Sequence, residues 1–259
     1  MVENVQMSFC ITCRNRLWQL SQTLHYNLLK LDDFCEIILV DFGSSDGLSE
    51  FIWGNFSKWI HDRKLIYFEV SNPVNWHMAK AKNLSHRLSK GSYIFNLDAD
   101  NFIGSHDIER LRLYNKMSLP THQWSGIWGD GTCGRIGLPR VLFNKLGGYD
   151  ESLLPTGGDD IDLLNRIKFL GMSVIKLPCD MPSPIQNDMP TKIQEFDSKK
   201  RDANACFNTM NQFNLKISSL KLNLEGACRS GFWATYKGFL NGKPVMIDGF
   251  NNITYINSC

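Results

Sequence analysis

The chain has 259 residues, 43% of them hydrophobic and 21% charged, a composition that supports one large globular domain or a domain with an appendage. With 28 basic against 26 acidic residues the net charge is +2, too small to hold a nucleic acid by bulk electrostatics. No apolar run approaches the roughly 20 residues of a membrane span, and eight cysteines without a secretory leader point to a reducing, cytosolic setting, with attachment to the inner face of a membrane left open. Cys10-x-x-Cys13 has the spacing of a redox or zinc half-site, but it lies in an apolar run and no second Cys/His pair follows; it reads as core packing.

Met7 to Thr12 reads as a first buried strand, and Asn15 opens a helix carrying Leu17, Leu20, Leu24 and Leu28 at helical spacing. Glu36 to Val40 is a second buried strand closed by Asp41. The turn Gly43-Ser-Ser-Asp46-Gly47 then leads into a helix with Leu48, Phe51, Ile52, Phe56, Trp59 and Ile60 on one face. Lys64 to Val70 is a third strand, Met78 to Lys90 a helix stopped by Gly91, and Tyr93 to Leu97 a fourth strand. Strands alternating with helices imply a mostly parallel sheet with helices on both faces, an α/β nucleotide-binding half over residues 1–104.

The second half begins with a helix from Ser105 to Met117, capped by Ser105. Trp124 to Arg135 is a Gly-rich aromatic loop that lets backbone approach a ligand and offers flat apolar faces to sugar rings. Pro139 to Leu146 is a helix turn ended by Gly147-Gly148; Gly157-Gly158 leads into a helix through Arg166 to Leu170, and Met172 to Leu177 is one more strand. After the proline-rich stretch 178–190, a helix is expected within 195–215 around Lys199-Lys200-Arg201, a solvated cluster. Asn241-Gly242, the strongest short hairpin signal, separates two alternating stretches between Phe232 and Ile256. Residues 191–259 therefore look like a small helix-plus-hairpin appendage, with 105–190 as the acceptor half of a domain spanning 1–190.

Two acidic pairs stand out, although Asp98-Ala-Asp100-Asn101 also reads as a polar turn leaving a strand and Asp159-Asp160 as helix capping. Asp98 and Asp100 end the fourth strand one residue apart, so they project to the same side at the sheet edge where open α/β folds bind ligands. Acids pointing the same way repel unless a cation sits beside them, and hard divalent cations favour oxygen. Asp159-Asp160 begins a helix, where the dipole stabilises acids whether or not they do chemistry.

Five fragments stand in order: Ile11-Thr12-x-Arg14-Asn15-Arg16; Ile38-Leu-Val-Asp41-x-Gly43-Ser44-x-Asp46; Ala79-Lys80-Ala81-Lys82-Asn83-Leu84; Gly91-x-Tyr93-Ile94-x-x-Leu97-Asp98-x-Asp100; and Gly147-Gly148-Tyr149-Asp150-Glu151 with Gly158-Asp159-Asp160-Ile161-Asp162-Leu163-x-x-Arg166. This set resembles the GT-A-fold glycosyltransferases, above all glycosyltransferase family 2, and its second half is similar to the galactosyltransferase-type carboxy-terminal motif. The resemblance covers about residues 5–177 and implies a Rossmann-like GT-A sheet. It also implies an inverting hexosyltransferase that moves a sugar from a nucleotide donor, a UDP-sugar, to a hydroxyl of a saccharide or lipid-linked glycan, as in bacterial-type surface polysaccharide synthesis.

The same resemblance implies the roles. Asp41 holds the donor's base or ribose, with Thr12 and Arg14 as further nucleotide contacts and Lys82 facing the diphosphate. Asp98 faces the ribose or sugar and Asp100 ligates Mn²⁺ or Mg²⁺, the two acids together forming the metal site. Asp160 is the general base and Asp159 orients the acceptor. Two departures stand out. Phe42 occupies a position where relatives commonly carry a second acid after Asp41, and no His follows His122 to supply a late metal ligand. Asp180, Gln186, Asn187 or Asp188 are the candidates to replace that His. A non-catalytic nucleotide- or carbohydrate-binding module on the same fold is the alternative reading.

Overall fold

A computed structural model describes residues 5–71, 75–186, 203–230 and 233–256. Four strands, β1 (Met7–Cys13), β2 (Cys35–Asp41), β3 (Leu65–Val70) and β4 (Tyr93–Asn96), pair in parallel in the order β3-β2-β1-β4. All seven residues of β1 and of β2 are buried, which is why they read as continuous apolar runs rather than alternating ones. Side chains of alternate residues feed two cores. Phe9, Ile11, Ile37 and Leu39 meet the helices α1 (Leu17–Lys30), α2 (Leu48–His61) and α4 (Asp107–Lys116). Cys10, Ile38 and Val40 meet α3 (Met78–Leu88), α5 (Arg140–Leu146) and α6 (Asp159–Phe169) on the other face. Cys10 and Cys13 are both buried free thiols, as core packing requires.

The chain runs outward from β1 through β2 to β3, then returns across β1 to β4, so the strand order reverses between β1 and β4. Crevices at such reversals, outside the strands' carboxyl ends, are where open α/β sheets take ligands. Beyond β4 lie β6 (Ile136–Pro139), antiparallel to it, then β5 (Thr121–His122) and β7 (Ile175–Lys176). Neither β5 nor β6 is visible in the sequence pattern. One has two residues; the other carries Gly137, where a Cβ would come within 2.6 Å of Thr121 Oγ1 and 2.7 Å of the Tyr93 ring. The strand expected over Met172–Leu177 is confined to β7.

Ser105 does not cap α4. His106 holds the cap position without a side-chain bond, while Asp107 folds back to accept from the Gly104 N–H (2.7 Å). The C-terminal helix α7 runs Ala203–Glu225, later than the span 195–215 expected from the sequence, and Lys199-Lys200-Arg201 lies outside the described residues. The hairpin forms where expected: Asn241 (φ 49°) and Gly242 (φ 78°) are both left-handed, the geometry of the tight turn between β8 (Tyr236–Leu240) and β9 (Lys243–Ile247). It does not stand apart as an appendage. Strand β8 pairs antiparallel with β3, Glu69 opposite Phe239, and β10 (Ile253–Tyr255) follows β9, so the C-terminal strands extend the main sheet to ten. An outer strand such as β3 would otherwise present unpaired N–H and C=O groups. Among the described residues no helix is long and apolar enough to cross a membrane.

Candidate active site

Past β4 the chain turns through Asp98-Ala99-Asp100-Asn101, and two buried amides shape the turn. Asn96 Nδ2 donates to Asp98 Oδ1 (3.1 Å) and to the Gly134 carbonyl (2.9 Å); Asn101 Nδ2 donates to Asp100 Oδ1 (2.7 Å) and to the Gly131 carbonyl (3.1 Å). The segment 131–134 is thereby laid along the acids. Beneath it the fully buried Arg135 pairs with Asp107 (3.0 Å) and donates to Asn101 Oδ1 and the Phe102 carbonyl. A fixed positive charge below two carboxylates lowers their mutual repulsion. Nothing in the sequence pattern marks Arg135 for this place.

The second acidic pair arrives on α6. Gly157 (φ 82°) and Gly158 (φ 77°) take the left-handed conformation that turns the chain into the helix, and Asp159 and Asp160 occupy its first turn. The two halves meet at Gly134. A Cβ there would lie 2.9 Å from Asp98 Oδ2 and 3.3 Å from Asp160 Oδ2, so carboxylates 62 positions apart in sequence face one point that only glycine leaves open.

Lys82 is the residue whose placement differs most from expectation. Its ammonium, 2% exposed, donates to Asp159 Oδ2 (2.8 Å) and Asp160 Oδ1 (2.6 Å) and lies 5.1 Å from the centre of the Tyr149 ring. It is seated on the acid pair. Burial, then the charge of Asp159, push the Asp160 carboxyl up to about 7, with Lys82 pulling the other way. The same two acids hold the buried lysine firmly protonated.

Asp41 is likewise engaged: Oδ1 accepts from the Ser44 N–H (2.7 Å), Oδ2 from the Tyr67 hydroxyl (3.2 Å), and burial raises its pKa. Thr12 is buried in β1 beside Val40 and Arg14 is half-buried just beyond that strand, so both lie at the carboxyl edge of the sheet. Asn15 and Asp46, from the first two fragments, join the loops after β1 and β2: Asn15 Oδ1 accepts from Ser45 N (2.7 Å) and Asp46 Oδ2 from Leu17 N (2.8 Å). A cavity of about 430 Å³ opens at the ends of β2 and β3, lined by Phe42, Trp76, His77, Lys80, Pro155 and Lys237 among others. Among the described residues its lining holds two lysines and no acid.

The family description "glycosyl transferase family 2" matches residues 8–116. A mannosyltransferase from Pyrobaculum calidifontis, solved with GDP-Man and Mn²⁺, superposes with a TM-score of 0.58 at 18% identity, over 87% of this chain and 76% of its own. S. aureus TarS with UDP-GlcNAc gives 0.59 at 14% identity, over 86% and 68%. The fold is GT-A. No curated protein sequence matches the chain. The resemblance of the five fragments and the reversal of strand order at β1/β4 are thus those of a GT-A sheet, with both acid pairs at its carboxyl edge.

Among the described residues no three His, Cys, Asp or Glu side chains converge as a metal cage. The turn does offer hard oxygen donors from Asp98 and Asp100, a set suited to a divalent cation that takes its remaining ligands from phosphate and water. Of the candidates for a further ligand, Asp180 is clamped by Arg110 through two bonds of 2.7 Å each, and Asn187 and Asp188 lie outside the described residues.

Proposed function

We propose that this GT-A chain is an inverting glycosyltransferase that moves a sugar from a nucleotide-sugar donor, in the first instance a UDP-sugar, to a hydroxyl of a saccharide or lipid-linked glycan. The convergence of Asp98 and Asp160 on Gly134 carries the reading, because it brings an acid suited to a cation and an acid suited to a proton into one place. Asp98 and Asp100 are the residues that would hold Mn²⁺ or Mg²⁺, which when bound neutralises charge developing on the leaving diphosphate. The lysines at the cavity by β2 and β3 favour the anionic nucleotide end. Asp160 is the base. A carboxyl whose pKa stands near 7 suits a general base at neutral pH, and such catalysis contributes about 10² to 10⁴-fold. Lys82 and Asp159 fix its direction, and one base serving one in-line displacement inverts the anomeric centre. The exposed Trp128, 4.9 Å from Trp124 and braced by Asp130 bonds to Ser125 and Thr132, gives the flat apolar face that a saccharide acceptor stacks on.

The rival, a binding module without turnover, draws on Asp41, whose oxygens are both taken, and on the closed Lys82–Asp160 bond. One screen separates the two. Thermal melts with UDP-Glc, UDP-Gal, UDP-GlcNAc and GDP-Man, with and without Mn²⁺, are followed by measurement of nucleoside diphosphate release. A Mn²⁺-dependent rise in Tm with release is expected; a rise without release favours the module, and neither would sink both readings.

A further inference from the structure

Helix α7 buries every fourth residue, Cys206, Met210, Asn214 and Ser218, and its two most buried members are polar: Asn214 is 0% and Ser218 2% exposed. Meanwhile Phe213 (48%), Leu220 (56%) and Leu224 (83%) face outward. Burial of apolar surface alone would turn such a helix the other way. What its polar stripe touches explains the orientation.

The Asn214 side chain meets the backbone of the loop that delivers the acid pair. Oδ1 accepts from Leu154 N (2.7 Å), while Nδ2 faces the carbonyls of Gly157 (2.6 Å), Leu154 (3.1 Å) and Thr156 (3.2 Å). The next residues are Gly158, Asp159 and Asp160. The loop is moulded to the helix: a Cβ on Gly157 would meet Asn211 Cβ at 2.8 Å, and one on Gly158 would meet Asn214 Cβ at 3.1 Å. One turn further along, Ser218 Oγ donates to Asp162 Oδ1 (2.6 Å), whose other oxygen accepts from Arg166 Nε (2.7 Å). Helix α7 therefore grips the chain on both sides of Asp159-Asp160.

We infer that Asn214 is a positioning residue for the proposed reaction: its amide sets the backbone of residues 154–157 and so aims the Asp160 carboxylate at Gly134. The requirement is specific. Only an amide presents an acceptor and donors on one short planar group; Asp would turn negative charge on three carbonyls, and Leu would leave buried backbone groups unpaired. The target is narrow, because Asp160 must face Gly134 while keeping its 2.6 Å bond to Lys82, and a misplacement of about 1 Å can slow a reaction about 100-fold. The helix that does this lies outside the residues matched to the family, 8–116.

This inference rests on Asp160 acting as the base, and the test separates the two claims. With whichever of the four donors above releases its nucleoside diphosphate fastest, kcat per nucleotide-binding site, the sites counted by calorimetry, is measured for Asn214→Ala in the wild-type and Asp160→Asn backgrounds. In the wild-type background kcat falls about 100-fold with donor KM within about threefold. In the Asp160→Asn background the further loss is under about threefold, since residues acting as a unit are non-additive. Equal losses in both backgrounds, or an unchanged kcat, would overturn the positioning role and leave the base assignment intact. Normal turnover in Asp160→Asn alone would overturn both. If Asn214→Ala gives no cooperative melt, Asn214→Ser, which keeps a hydroxyl in place, is read by the same criterion with a smaller loss, about 10-fold.

Discussion

At the end of β4, Asp98 and Asp100 are held by their neighbours: Asn96 and Asn101 lie within two residues and fix both carboxylates. At the start of α6, Asp159 and Asp160 depend on Lys82, 77 and 78 positions earlier, and the loop before them on Asn214, over 50 positions later. The first pair is a local product of strand and turn; the second exists only once three distant segments have packed. The first is set by residues close to it in sequence, whereas the second is set by Lys82 and Asn214, both far from it.

The sharpest way to break the comparison is to exchange the acids' losses. Asp160→Asn should cut turnover by about 10² to 10⁴-fold with nucleotide binding largely intact, while Asp100→Ala should abolish Mn²⁺-dependent nucleotide binding in calorimetry. If both variants lost binding alike, the division of labour between the pairs would be wrong. Next in size is Lys82→Met, which strands two buried acids without their cation. A loss of about 3–5 kcal/mol in urea unfolding is expected. A stability near that of the wild type would mean the pair does not need Lys82.

The smallest effect concerns pH. His86 lies behind Lys82, stacked on Phe143 at 5.0 Å; its Nδ1 donates to the Lys82 carbonyl (2.7 Å), and burial pushes its pKa down to about 3. A neutral buried histidine favours the unfolded chain whenever the solvent can protonate it. The stability tied to it is therefore complete above the unfolded value near 6.5 and lost as pH falls from there towards 3, at about 1.4 kcal/mol per unit. His86→Phe should flatten the slope of stability between pH 6 and 4 by about that amount; an unchanged slope would place the acid sensitivity elsewhere, with His77 the next candidate, its pKa down to about 4.

How much of this was legible depends on range. The parallel strands announce themselves as apolar runs because both faces are covered, and Asn241-Gly242 announces its turn because its left-handed backbone suits few other residues. Asp98, Asp100, Asp159 and Asp160 stand out as paired acids, and the structure brings Asp98 and Asp160 to one point. Lys82 could be marked as functional but not directed, since nothing local distinguishes a lysine facing phosphate from one facing two acids. Asp41 reads as a ligand contact, and nothing local announces that Tyr67, on the next strand, donates to one of its oxygens. Asn214 and Ser218 carry no local mark, because their partners are backbone groups and an acid some 56 to 60 positions away.

The C-terminal hairpin has a further consequence for how the chain comes into being. Tyr67 N donates to Asn241 Oδ1, a bond spanning 174 positions, and β3 finds its outer neighbour only in β8. During synthesis the nascent sheet must wait, its flank bare and prone to pair with other chains, until those late residues leave the ribosome. A chain stopped short of Tyr236 would carry every acid described here and still be a candidate for aggregation rather than a working protein.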